Sequence, residues 1–209
     1  MILYRANFST NVERVTLALA HKGIEVESRW ISYDDRSEVE KISGQPLLPV
    51  VVDHRERIDN VVTDSMQIIA YVEGHVPSPP LYPSDEARFA EMMVFIDWFN
   101  RVWKLPPNRI DAELASEQPD HMLITKLARE MASYLDGFDS LLSGRKFLFG
   151  DEFSAADCCA FPFLKYAALK REPADNEQFH VVLDEYQELT DEHFRLRQWI
   201  KRIDAMPRA

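Results

Sequence analysis

Met1-Ile2-Leu3-Tyr4 opens the chain with an apolar run of strand length. From Val12 the period changes, because Val12, Val15 and Leu19 recur on one face of a helix. Met1 to Arg5 therefore reads as a strand, and Gly23 suits the position just past the end of the helix that follows. Glu25 to Ser32 alternates, with Val26, Ser28, Trp30 and Ser32 set against Glu27, Arg29 and Ile31, and predicts a short second strand. Arg36 to Ile42 predicts a short helix. Leu48 to Val52 is an apolar strand opened by Pro49, and a polar hairpin over Asp53 to Asn60 leads to Val61-Val62-Thr63. Asp64-Ser65 then caps a helix over Met66 to Val72. The predicted order is β-α-β-α-β-β-α, which mixes a right-handed crossover with a hairpin.

Pro77, Pro79, Pro80 and Pro83 interrupt this pattern, since such a run continues neither a helix nor a central strand. From Ser84 onward the spacing is helical, with helices predicted at about 85–104, 119–142, 154–168, 178–188 and 192–204. The organisation expected is a first domain over 1–75, a linker over 76–84 and an all-helical domain over 85–209. One helix start in the second half is sharply marked. Ser154 stands at the N-cap with Asp157 three residues on, a variant of the capping box, and Phe153 can staple onto Cys158. This feature is structural, stabilises its helix by roughly 1–2 kcal/mol, and carries no catalytic role.

Composition narrows the function. Apolar residues make up 46% of 209, enough for a sizeable core. No run approaches the roughly 18 apolar residues of a membrane span. The N-terminus shows no basic region followed by an apolar stretch, so the expectation is a cytoplasmic protein. With 24 basic and 35 acidic residues the net charge is −11, which disfavours nucleic acid and anionic membranes as partners. The cysteines, Cys158 and Cys159, are neighbours in an apolar run and read as buried small hydrophobes. His21, His54, His75, His121, His180 and His193 form no metal-binding spacing, and no metal is expected.

The stretch with the most chemistry is Phe8-Ser9-Thr10-Asn11-Val12-Glu13-Arg14-Val15. It places a hydroxyl where a strand hands over to a helix, so backbone N–H groups and the helix dipole can hold negative charge there. Such a hydroxyl can stabilise a bound thiolate. It is equally a preferred N-cap that needs no ligand.

Four stretches spread over the chain resemble the cytosolic glutathione S-transferase family. They are Ser9 with Arg14-Val15, similar to the family's serine-type loop; Leu48-Pro49-Val50, similar to its cis-proline signature; Asp64-Ser65-Met66-Gln67-Ile68-Ile69-Ala70-Tyr71; and Gly150-Asp151-Glu152-Phe153-Ser154-Ala155-Ala156-Asp157. Trp199, followed by Met206-Pro207, also matches the family's pattern. The resemblance implies an α/β thioredoxin-like first domain and an all-α second domain. It implies glutathione as co-substrate, a hydrophobic electrophile as second substrate, and a homodimer.

It also implies residue roles. Ser9 would donate a hydrogen bond to the glutathione thiolate, with Thr10 or Tyr4 as alternative donors. Leu48, ahead of a cis Pro49, would pair through its backbone with the cysteine of glutathione; an ordinary trans proline opening a strand is the alternative. Ser65 would hold the γ-glutamyl carboxylate and Asp64 the γ-glutamyl ammonium, although both also serve simply as caps. The segment Ser43 to Pro49 lacks the Lys or Gln that many members place just before the proline, and Gln45 is the expected substitute. The hairpin over Asp53 to Asn60 is longer than the family's tight turn.

The helical domain is expected to form the electrophile pocket. Phe99, Trp103 and Tyr166 are its expected lining, and Arg101 and Lys104 would receive an anionic product group. An apolar face of this spacing also reads as plain core. The function expected is a glutathione S-transferase that stabilises the thiolate and adds it to the electrophile, a detoxification chemistry. The alternative is a non-catalytic interaction protein on the same fold, similar to the stringent starvation proteins.

Overall fold

The computed structural model describes residues 1–55 and 58–209. Residues 56 and 57 of the expected Asp53 to Asn60 hairpin lie outside the described residues. The chain divides into two compact units, Met1–Leu81 with Met206–Ala209, and Tyr82–Ala205.

In the first unit the elements are β1 (Ile2–Arg5), α1 (Thr10–His21), β2 (Glu27–Trp30), α2 (Ser37–Ser43), β3 (Val50–Asp53), β4 (Asn60–Thr63) and α3 (Ser65–His75). The sheet is four-stranded in the order β2-β1-β3-β4. β1 runs parallel to β2 and antiparallel to β3, and β3 pairs antiparallel with β4. Alternation along the strands sorts side chains to two faces. Leu3 and Val51 join Val15, Leu19, Ile68 and Val72 from α1 and α3 in one buried cluster. Tyr4, Val50 and Val52 join Val39 of α2 in another. β3 is buried along its whole length, as a central strand covered on both faces must be. β2 is an edge strand and all its residues are exposed, which explains why it is shorter than the alternation in the sequence.

The proline-rich segment is held to this unit by one buried lysine. Lys22 Nζ donates to the Pro79 carbonyl at 2.5 Å and is paired with Glu73, whose carboxylate accepts from the Leu81 N–H at 3.1 Å. Met206–Ala209 cluster with the first unit, although the sequence pattern carried the helical domain to 209. The physical reason is a set of polar ties: Ala209 N donates to Thr16 O at 3.1 Å, Arg5 donates to Ala209 O at 2.8 Å, and Arg208 pairs with Glu13 at 2.9 Å.

The second unit is all helical. It contains α4 (Glu86–Trp98), a π-helical turn (Phe99–Trp103), α5 (Leu105–Leu114), α6 (His121–Leu141), α7 (Ala155–Leu164) with a 3-10 turn (Lys165–Ala167), α8 (Gln178–Glu185) and α9 (Phe194–Asp204). The sequence pattern put one helix over 85–104 and none over 105–114. The structure instead ends α4 at Trp98 and starts α5 at Leu105. Pro106 and Pro107 are the cause. They have no N–H to give to the carbonyls four residues earlier, so the preceding turn widens and the Lys104 N–H bonds Phe99 O at 3.0 Å. Prolines are nonetheless acceptable in a first helical turn, where the N–H groups lack intrahelical partners. The arrangement is the expected one, a thioredoxin-like β-α-β-α-β-β-α unit with an all-α unit.

The capping box is present. Asp157 accepts from Ser154 N at 3.0 Å, Ser154 Oγ at 2.6 Å, Leu148 N at 3.0 Å and Trp199 Nε1 at 2.8 Å. One carboxylate thereby ties the start of α7 to the preceding turn and to α9. Burial pushes the Asp157 pKa up, and these four hydrogen bonds pull against that.

Candidate functional site

Ser9 is the N-cap of α1, with backbone dihedrals in the extended region. Its Oγ accepts from the Val12 N–H at 3.3 Å, and its carbonyl accepts from the Glu13 N–H at 2.9 Å. The hydroxyl oxygen thus already takes a helix-end donor. Its own proton remains available to an acceptor beyond the helix end. Ser9 is half-buried, so an incoming group can reach it.

Backbone strain falls next to two of the expected site residues. Among the described residues the non-glycine positions with positive φ are Phe8 at 59° and Asp64 at 64°. These immediately precede Ser9 and Ser65. Such conformations cost on the order of 1–3 kcal/mol each and concentrate where geometry serves a site. At the first, the Tyr33 hydroxyl donates to Asn7 O at 2.9 Å and braces the turn. At the second, the Asp64 carboxylate accepts from Met66 N at 2.9 Å and Gln67 N at 3.1 Å, capping α3.

Ser65 is buried at the start of α3, and its Oγ accepts from Arg14 Nη1 at 3.3 Å. Arg14 is 2% exposed and lies on α1 among Val12, Val15 and Leu17. The sequence pattern had recorded Arg14 only as part of a motif. Periodicity could not single it out, because Arg14 stands off the Val12, Val15 and Leu19 face and is buried by packing on the helix's other side.

Leu48–Pro49 is a cis peptide bond, with Pro49 buried and Leu48 half-buried. Gln45 turns back on its own loop. Its Oε1 accepts from Leu47 N at 2.6 Å, while its Nε2 donates to Ser43 Oγ at 3.1 Å and Leu47 O at 3.0 Å. Both ends of the amide therefore shape the turn ahead of Leu48. Thr10 is buried in the first turn of α1. Tyr4 packs with Val39, Val50 and Val52 beneath α2, and burial together with Glu38 raises its pKa.

Beside these residues, β3 and α3 are joined by a polar link absent from the sequence reading. The Asp53 carboxylate is 1% exposed. It accepts from Arg55 Nε at 2.9 Å and Nη2 at 2.6 Å, and from the Tyr71 hydroxyl at 2.8 Å. The Arg55 hydrogen bonds hold the Asp53 carboxyl well below the usual carboxylate range.

In the second unit Phe99 and Trp103 are fully buried and stacked, with centroids 4.4 Å apart and planes at 14°. Phe138 and Phe163 meet both of them edge-on. Tyr166 is buried as well. It stacks on His180 at 5.1 Å and donates to Asp175 Oδ2 at 3.3 Å, and that carboxylate also holds His180 Nδ1 at 2.8 Å. The structure therefore places Phe99, Trp103 and Tyr166 in the interior of the helical unit. Arg101 is exposed and paired with Asp97 at 2.6 Å, and Lys104 Nζ sits 4.7 Å above the Phe163 ring. Among the described residues, no group of three or more His, Cys, Asp or Glu side chains is arranged to hold a metal ion. Among them, too, no helix is long and apolar enough to cross a membrane.

Known proteins agree with this architecture. Residues 3–80 match the family model for the glutathione S-transferase N-terminal domain, and residues 122–202 match the model for its C-terminal domain. A glutathione S-transferase of Triticum aestivum is 29% identical over 87% of this chain and 84% of its own length. FtsZ-localized protein A of Caulobacter vibrioides is 27% identical over 70% of this chain and 68% of its own. The solved structure of a Tau class glutathione S-transferase from mango superposes with a TM-score of 0.76 at 19% identity, covering 99% of this chain and 89% of that one. The chain belongs to the glutathione S-transferase family.

Proposed function

We propose that this protein is a glutathione transferase that binds glutathione in the domain over 1–75, stabilises its thiolate and adds it to a hydrophobic electrophile. The observation that carries this reading is the half-buried Ser9 hydroxyl. Its oxygen accepts from the Val12 N–H, which leaves the hydroxyl proton to donate to a bound anion. A thiol ordinarily titrates near 8.5, so lowering it by about two units requires roughly 2.7 kcal/mol of preference for the thiolate. A hydroxyl hydrogen bond with the positive end of α1 is of that order. Ser9 donates to the sulfur and is not itself the nucleophile.

The remaining roles follow the same reading. Leu48, next to Pro49, pairs its backbone with the cysteine of glutathione, and Gln45 holds that loop in shape. Ser65 and its N–H take the γ-glutamyl carboxylate, and Asp64 takes the ammonium. The helical domain over 85–209 takes the electrophile, with Phe99, Trp103 and Tyr166 supporting that region from within. The same proposal makes the protein a cytoplasmic homodimer with a detoxifying role.

A second reading, a non-catalytic interaction protein, is favoured by one observation. Gln45, the expected stand-in for the missing Lys or Gln, gives its amide to its own loop. Calorimetric titration with glutathione separates the two. Binding on the order of millimolar or tighter, weakened by Ser65→Ala, supports the transferase. An absence of heat overturns it and leaves the interaction protein.

A further inference from the structure

We infer that Arg14 is a positioning residue for the carboxylate end of glutathione, acting through Ser65; the inference rests on the glutathione reading above. Three observations lead to it. Arg14 is 2% exposed, on a helix whose Val12, Val15, Thr16, Leu17, Ala18 and Leu19 are buried with it. An arginine cannot shed its charge in a protein, so its burial is retained only where its donors are used. One of those donors, Nη1, reaches Ser65 Oγ at 3.3 Å. Ser65 is itself 3% exposed and is the first residue of α3, directly after the strained Asp64.

The geometry sets what Ser65 can do. Its Oγ takes the Arg14 N–H with one lone pair, so its own O–H is directed elsewhere. At the start of α3 the natural recipient is an anion held by the helix N-terminus. Arg14 thereby converts a serine of variable rotamer into an oriented donor. It does not touch the ligand. Arg14 lies five residues after Ser9 on the same helix, so α1 serves both ends of glutathione. Its first turn meets the sulfur and its second steadies the carboxylate subsite.

The test is a double-mutant cycle on glutathione affinity, with Arg14→Lys, Arg14→Met, Ser65→Ala and the combined variants, each checked for folding by its thermal midpoint. Arg14→Met should weaken glutathione about ten- to a hundredfold, the loss expected for one charge-assisted hydrogen bond. Arg14→Lys keeps the charge, is the variant that folds if Met does not, and should lose less. In the Ser65→Ala background either change should cost almost nothing more. The titration of the bound thiol, followed by thiolate ultraviolet absorbance, should be unchanged throughout, because that step belongs to Ser9. Variants that bind as tightly as the parent overturn the inference and spare the glutathione reading. Losses that add fully to that of Ser65→Ala, or a shifted thiol titration, overturn it as well. A parent protein that binds no glutathione overturns both.

Discussion

At the scale of single residues, the chemistry proposed rests on short hydroxyl side chains whose oxygens are already engaged. Ser9 accepts from α1 and Ser65 accepts from Arg14. Each is left with one proton to direct, which is what an anionic ligand group requires. Ser9→Ala should lower turnover at neutral pH roughly ten- to a hundredfold, matching the thiolate stabilisation lost, while glutathione affinity stays nearly unchanged. Steady-state kinetics beside calorimetry would show this. Equal turnover in the variant would move the role to Thr10 or Tyr4. Ser9, Asp64 and Ser65 were legible in the sequence because caps and turn residues act locally. Arg14 was legible only as a motif letter, because its partner stands 51 positions away.

At the scale of elements, two buried carboxylates join pieces that are distant in sequence, and they respond to acid in opposite senses. Asp53 ties β3 to α3 through Tyr71 and to Arg55, and its pKa is depressed by Arg55. Its stabilisation is fully present above the unfolded value near 3.9 and is lost as pH falls toward the lower folded value. Asp53→Asn should therefore flatten the acid side of a stability–pH curve taken by chemical denaturation. An unchanged acid limb would show that the Asp53 link contributes nothing. Asp157 has the reverse sign. Burial raises its pKa, so its titration lowers stability as pH climbs from the unfolded value through the folded one. Asp157→Ala strands the N–H groups of Leu148, Ser154 and Trp199 in the interior and should destabilise the fold by about 3 kcal/mol or more. Thermal unfolding would measure it. The capping box itself was legible, since its residues are neighbours. The Trp199 tie and the π-helical turn ahead of Pro106 were not, because one is a long-range contact and the other a rearrangement of the hydrogen-bond ladder.

At the scale of the whole molecule, the tail Met206–Ala209 is the least expected part of the architecture. It is short, with nothing periodic to place it, yet Arg5, Thr16 and Glu13 hold it in the first unit. Ending the chain after Ala205 should lower the stability of that unit by about 2 kcal/mol, a few net hydrogen bonds' worth, and the thermal midpoint would report it. An unaltered midpoint would show these ties to be neutral. The sequence by itself determined the element order of the first unit, the proline break after it, the capping box and the hydroxyl at the start of α1. All of these follow from periodicity, steric exclusion or groups a few residues apart. Only the tertiary structure decided that Arg14 stands behind Ser65, that Gln45 closes on its own loop, and that Phe99, Trp103 and Tyr166 are interior. Those outcomes depend on which faces of separate elements meet, and packing across long stretches of chain leaves no local mark in the order of residues.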